Sequence, residues 1–193
     1  MWSDESNIEL FGQPGAAYVR RRPREAYNAE CIIPTVKFGG GSIMVWGYMT
    51  ATGVGVLLLC ERRMNSHRYI EVLEEVLEPS ALQLFDEDVP DYIFQQDNAP
   101  CHKLRAVTSW FRENNVRVLE WPAQSSDLSP IEHLWGILKV KVSKFKCTSK
   151  DMLKTKIRDA WNSITPEECF RFIASMPRRV HAVINAKGGT PKY

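Results

Sequence analysis

The sequence predicts an α/β fold, a mixed sheet with helices packed on it and a helical C-terminal end. Three observations predict it. Two apolar, β-rich runs, Ile43 to Met49 and Val54 to Cys60, are separated by only a short turn. The hydrophobic period then switches, and apolar residues recur at three and four between Tyr69 and Leu77. Beyond that, short strand-like and helix-like stretches alternate as far as Pro130, after which the pattern is helical.

Each element has its own local cause. "ELFGQPG" is a short apolar stub broken by Gly12, Pro14 and Gly15, so it predicts a short strand leading into a long exposed loop. The runs around "TATG" predict a β-hairpin with largely buried strands, with Gly53 and Gly55 as turn residues. "NSHRYIEVLEEVLEPSALQLF" predicts an amphipathic helix capped by Asn65 or Ser66. "YIFQQ" predicts a short strand ending at Asp97. "KLRAVTSWFREN" predicts a helix with Leu104, Val107 and Phe111 on one face. "VRVLEW" predicts another short strand and "PAQSSDLSP" a loop. The helical remainder is expected to break near Thr148, Thr165 and Pro177, and the tail "AKGGTPKY" to fray.

Composition bounds the function. A chain of 193 residues suits one domain, residues 1–193, with a real core. A net charge of +2 makes the whole molecule no basic nucleic-acid binder, but the charge is uneven. "RRRPR" holds Arg20, Arg21, Arg22 and Arg24, and "KVKVSKFKCTSK" includes Lys139, Lys141 and Lys144. Such local patches matter more for phosphate binding than net charge does, although a charge run is often only a solvated face. Five scattered cysteines without a Cys-x-x-Cys pair argue against a disulfide framework or a zinc site and for a reducing compartment. No apolar run reaches membrane-spanning length and no signal peptide is visible, so the chain is expected to be intracellular and soluble.

Three acids stand at places where a carboxylate is open to more than one explanation. Asp97 follows a strand, and Asn98-Ala99-Pro100 breaks the backbone directly after it. In open α/β sheets reactive groups gather at the carboxyl ends of strands, but Asp is also a common turn residue. Glu132 fits a capping box, Ser129-Pro130-Ile131-Glu132, in which it merely reaches back to a backbone N–H. Asp4 in "MWSDES" reads equally as a polar turn. A metal-dependent phosphoryl-transfer site needs several oxygen ligands from separate elements; these three acids could meet that need, and their spacing alone allows it without proving it.

The segments "WSDES", "YVRRRPREAYN", "TVKFGGGSIMVWGYMTATGVG", "FQQDNAPCH", "VLEWPAQSSDLSPIEHLWGILK" and "SMPRRVHAVINAKGGTPKY" together resemble the catalytic domain of Tc-one/mariner DNA transposases. The resemblance runs over essentially the whole chain. It implies an RNase H-like fold: a mixed sheet flanked by helices, with a helical C-terminal extension. It implies an Asp-Asp-Glu triad in which 34 residues separate the second Asp from the Glu; residues 98 to 131, which are 34, lie between Asp97 and Glu132. The triad so implied is Asp4, Asp97 and Glu132, holding two Mg²⁺ or Mn²⁺ ions. The family's Ser-Pro-Asp-Leu-Asn-Pro stands here as "SSDLSP", with Ser126 and Ser129 replacing Pro and Asn.

The implied activity is cut-and-paste transposition: hydrolytic nicking of DNA, then attack of the freed 3′-OH on target DNA. Implied partners are transposon-end and target DNA and a second copy of the chain, reached through the arginine-rich loop. No membrane or small-molecule cofactor is implied, and the implied compartment is the nucleus. Arg20, Arg21, Arg22, Lys139, Lys141, Lys144 and His102 are expected phosphate contacts, and His133 also flanks the triad. The family's N-terminal helix-turn-helix units are not seen in the chain, so weak, salt-sensitive DNA binding is expected. Most of the central strand carrying Asp4 is expected to lie before Met1, leaving the sheet underpaired and the domain poorly stable. The competing expectation is an inactive or domesticated remnant that only binds nucleic acid or protein.

Overall fold

The computed structural model describes residues 1–10, 41–60, 63–85, 92–123 and 125–187. Strands β1 (Trp2–Glu9), β2 (Ser42–Thr50) and β3 (Gly53–Cys60) form an antiparallel meander. The β2–β3 turn is made possible by Gly53, whose φ of +139° an L side chain rarely adopts. Strands β4 (Ile93–Phe94) and β5 (Arg117–Val118) pair in parallel. A parallel bridge between Trp2 and Gln95 joins the two parts. There the Ser3 N–H donates to the Gln95 carbonyl at 3.0 Å and the Gln95 N–H to the Met1 carbonyl at 2.8 Å. The strand order is therefore β3-β2-β1-β4-β5, with β1 in the centre.

The expectation that β1 lies mostly before Met1 is overturned. The strand runs onward from Asp4, and all eight of its residues pair with β2, from Trp2 opposite Met49 to Glu9 opposite Ser42. The predicted shortage of pairing has no basis in this strand. "SDESNIE" reads as a turn because it is polar. In the fold its small hydroxyl residues Ser3 and Ser6 are buried, and only Ile8 joins the apolar core.

Helices cover both faces of the sheet. Because side chains alternate along β2, Ile43, Val45 and Met49 face one way and Trp46 and Tyr48 the other. The first set packs on helices α4 (Pro130–Ser143), α5 (Lys150–Asn162) and α6 (Pro166–Ala174), through Leu134, Trp135, Leu138, Ile157 and Trp161 among others. The second packs on α1 (Ser66–Val72), the turn that follows it, α2 (Glu78–Leu84) and α3 (Arg105–Glu113), through Tyr69, Leu73, Leu77, Ala81, Val107 and Phe111. Burying one such side chain contributes about 1.5–3 kcal/mol, so these two clusters fix which face each helix takes. A final helix, α7 (Met176–Asn185), follows α6 directly.

Asn65 caps α1, its side chain accepting from the Arg68 N–H at 2.9 Å. Between α1 and α2 the backbone widens into a π-helical turn, Leu73–Leu77. Pro79 explains it, since a proline lacks an N–H and its ring crowds the carbonyl four residues back. Helix α3 differs from the sequence pattern at one position. Leu104 is exposed and precedes the helix, and Trp110 takes its place on the buried face with Val107 and Phe111. Among the described residues no helix is long and apolar enough to cross a membrane. Residues 11–40, where the sequence predicts a long exposed loop, lie outside them.

Candidate active site

Adjacent residues of a strand project to opposite faces. Asp4 accordingly points towards α4, where its Oδ2 accepts a hydrogen bond from the Trp135 indole at 3.0 Å. Glu5 points to the opposite face, where its Oε1 lies 3.2 Å from His102 Nε2. Asp97 stands two residues past the bridge at Gln95, in a turn held by its own Oδ1, which accepts from the Ala99 N–H at 2.9 Å. The Asn98 amide ties the same turn to the Trp121 carbonyl at 2.6 Å.

Glu132 sits in the first turn of α4, and the capping box written in the sequence is not formed there. Ser129 makes no side-chain cap bond. The other box in the chain, Thr165 with Glu168, makes both of its bonds. Glu132 instead lines the cleft, partly exposed and partly buried, where the positive end of the helix favours a carboxylate. Asp4, Asp97 and Glu132 line one open cleft of about 570 Å³, with Gln95, Lys103, Trp121, Ser126 and Ser129 around them.

The electrostatics of the cleft are those of crowded like charge. Burial, then Glu5 and Glu132, push the Asp4 carboxyl well above the usual range, against the Glu5 N–H and Trp135. Burial raises Glu132 too; Lys139 relieves it and Asp97 adds to it. Asp97 is held low, chiefly by the hydrogen bond from His102. A bound divalent cation would relieve this repulsion. Three hard carboxylate donors from three elements suit Mg²⁺ or Mn²⁺.

The structure also corrects expected contacts. His102 is 2% exposed and has no face for a phosphate. Its ring lies between Asp97 Oδ1, 2.7 Å from Nδ1, and Glu5. Burial opposes its charge, but the bonds to Asp97 and Glu5 outweigh that and push its pKa up to about 10. Ligand-type atoms of Glu5, Asp97 and His102 fall within 4.8 Å of one another. With both ring nitrogens on carboxylate oxygens, the ring bridges two acids by hydrogen bonds.

Lys141 is likewise engaged. Its ammonium donates to the Ser163 carbonyl at 3.0 Å and lies 3.6 Å from Glu168, so it closes the C-terminus of α5. Lys139 lies near enough to Glu132 to influence it, and Lys144 is exposed at the C-cap of α4. Arg20, Arg21 and Arg22 lie outside the described residues. His133 accepts from the Arg179 guanidinium at 3.1 Å, and burial, then that charge, lowers its pKa. Sequence reasoning missed Trp135, Glu5 and Lys103. The signals were there: Trp135 is one helical turn after Glu132, Glu5 adjoins Asp4, and Lys103 follows the Asp97 turn.

Residues 1–154 match the DDE superfamily endonuclease family. The chain is 41% identical over 193 residues to the Transposable element Tc1 transposase of Caenorhabditis elegans, covering all of this chain and 70% of that one. It is 39% identical to the Tcb1 transposase of Caenorhabditis briggsae, with the same coverage. Among solved structures it is similar to the Mos1 transposase catalytic domain with Raltegravir and Mg, at TM-score 0.75 and 21% identity, covering 98% of this chain and 84% of that one. It is also similar to the Mos1 transposase paired-end complex with left transposon end, at TM-score 0.81 and 24% identity. There it covers 98% of this chain and 55% of that one, so it spans about half the Mos1 chain's length. At such identities the structural likeness bears on the fold alone, which is RNase H-like. The sequence relationships go further: this chain belongs to the DDE superfamily endonucleases, among the Tc1-type transposases.

Proposed function

We propose that the cleft between β1, the Asp97 turn and α4 cleaves DNA phosphodiesters and joins the freed 3′-OH to target DNA, as the chemical centre of a cut-and-paste transposase. The observation that carries this is the convergence of Asp4, Asp97 and Glu132, from three distant segments, on one cleft. Their carboxylates would hold two Mg²⁺ or Mn²⁺ ions. Bound there, such a pair supplies activation of the attacking oxygen and charge stabilisation of the leaving one.

The chain's own residues supply position. Trp135 fixes one oxygen of Asp4, and the Ala99 N–H with His102 fixes one oxygen of Asp97. Lys103 on the cleft wall offers a cation to a DNA phosphate, and Lys139 and Lys144 extend positive charge along α4. Arg20, Arg21 and Arg22 complete the reading as contacts to DNA or to a second copy of the chain. On this reading the compartment would be the nucleus, where chromosomal DNA is the target.

The test is nicking of supercoiled DNA in Mg²⁺ by the wild-type chain, Asp97→Asn and Glu132→Gln. The proposal expects metal-dependent nicking that both substitutions abolish while DNA binding persists. A chain that binds DNA but never nicks it, whatever its carboxylates, is a binding module, and the proposal is then wrong.

A further inference from the structure

Asp97 is the least anchored of the three acids by chain geometry. It stands past the end of a two-residue strand, on a turn, and its side chain is half-exposed. A ligand carboxylate must be held to well under about 1 Å to work. What holds it is His102. The imidazole is buried, and it lies against the fully buried Tyr69 ring, centroids 4.1 Å apart and planes tilted by 33°. Tyr69 is fixed in turn by donating to Gln96 Oε1 at 2.6 Å. From this seat Nδ1 reaches Asp97 Oδ1 at 2.7 Å, while Nε2 reaches Glu5 Oε1 at 3.2 Å.

Two consequences follow. The Ala99 N–H and His102 both fall on Oδ1, and among the described residues Oδ2 accepts no hydrogen bond, so one oxygen is spent on anchoring and the other is open. Glu5 adjoins Asp4 on β1, so the chain Asp97–His102–Glu5 ties the Asp97 turn to the strand that carries Asp4. Two ligand-bearing segments, which the sheet connects through the bridge at Trp2 and Gln95 and a few hydrogen bonds beside it, are thereby held at a fixed spacing.

We infer that His102 is a positioning residue, anchored by Glu5, that sets the Asp97 carboxylate for metal binding without itself ligating the metal. This rests on the proposed metal-binding role of Asp97. It also assigns the Glu5–Asp97–His102 cluster to support of the metal site and not to a cation of its own.

The test measures Mn²⁺ affinity of the full chain by titration, with thermal melts as a folding control. Asn in place of His102 can keep a donor near the Nδ1 position and lose the bond to Glu5; Gln can keep one near Nε2 and lose the bond to Asp97. Losing outer support of a ligand typically weakens metal affinity about 10–100-fold. His102→Gln should show that loss, Glu5→Gln a smaller one, and His102→Asn should retain most of the affinity. Asp97→Asn, run alongside, tests the underlying role. If Asp97→Asn leaves Mn²⁺ binding intact, the metal-site proposal fails and this inference with it. If Asp97→Asn abolishes binding but folded His102→Gln binds like wild type, this inference alone is overturned. Electron spin-echo spectra of the Mn²⁺ complex should show no nitrogen coupling from a directly bound imidazole. Such a coupling, lost in His102→Gln, would make His102 a ligand and overturn the positioning role.

Discussion

The indole N–H of Trp135 donates to Asp4 Oδ2 at 3.0 Å across 131 residues of chain. The ring is held for this by stacking on Trp161, with centroids 5.2 Å apart and planes 25° from parallel. Trp135→Phe keeps an aromatic ring on Trp161 but removes the donor together with part of the buried ring volume. A hydrogen bond to a charged group is worth about 1.5–3 kcal/mol, so the melting temperature should fall by several degrees. The Mg²⁺ concentration for half-maximal nicking should rise about 10–100-fold. An unchanged Mg²⁺ requirement would show that Trp135 is only a packing residue.

Asp4 also has an effect on stability of opposite sign. Its carboxyl is raised well above its ordinary 3.8, first by burial. The folded state therefore holds that proton more tightly than the unfolded chain. The stability this provides is fully present below pH 3.8 and is lost as pH rises through the higher folded value. Above pH 3.8 the preference of the unfolded chain for the ionised form makes the buried group a net penalty. Asp4→Asn should thus melt higher than wild type at pH 7 in a chelator, by about 2–4 °C per kcal/mol for a domain of this size. The gap should narrow as pH is lowered and on adding Mg²⁺. A lower melting temperature for the Asn variant at pH 7 would contradict this.

Three glycines should respond in three ways. A Cβ on Gly47, which lies opposite Asp4, would meet Trp161 at 3.1 Å and Trp135 at 3.2 Å. Both indoles are locked, Trp161 by donating to the Gly55 carbonyl at 2.8 Å. Gly47→Ala should destabilise by about 1–3 kcal/mol and impair nicking beyond that, by displacing the Trp135 donor. A Cβ on Gly55 would lie 1.8 Å from the Tyr48 ring, so Gly55→Ala should be the most damaging of the three. Gly136 has nothing within 4 Å, and Gly136→Ala should stabilise α4 by up to about 1 kcal/mol. Thermal melts of the three variants rank them directly.

Much of this architecture is legible in the chain because its signals are local. The hairpin, the Asn65 cap and the breaks before α5, α6 and α7 come from turn residues, caps and period, and they appear where the pattern puts them. The acids of the cleft are legible through their motifs. What sequence could not supply is long-range. β1 is polar, and its strand character comes from β2 alongside it and from the bridge to Gln95. The roles of Glu5, His102 and Trp135 rest on contacts spanning 97 and 131 residues, which no local period encodes. Lys141 carries the same charge as Lys144, and only the position of the α5 C-terminus engages one ammonium.

The same limit shows in two stretches with one pattern and different outcomes. Ser129 to Glu132 and Thr165 to Glu168 both carry the hydroxyl-x-x-Glu signature with proline at the first helical position. In the second, the Glu168 N–H donates to Thr165 Oγ1 at 3.3 Å and the Thr165 N–H to Glu168 Oε2 at 3.0 Å. Loss of such a cap costs about 0.5–2 kcal/mol. Thr165→Ala should therefore lower the melting temperature by a few degrees and leave metal-dependent nicking, per folded molecule, unchanged. In the first stretch neither bond exists, and the Glu132 carboxyl is raised by burial instead. Glu132→Gln should leave stability in a chelator unchanged or slightly improved while abolishing nicking, and Ser129→Ala should have little effect on melting. If Glu132→Gln melts as low as Thr165→Ala, Glu132 is a cap after all, and not a carboxylate held free for a metal ion.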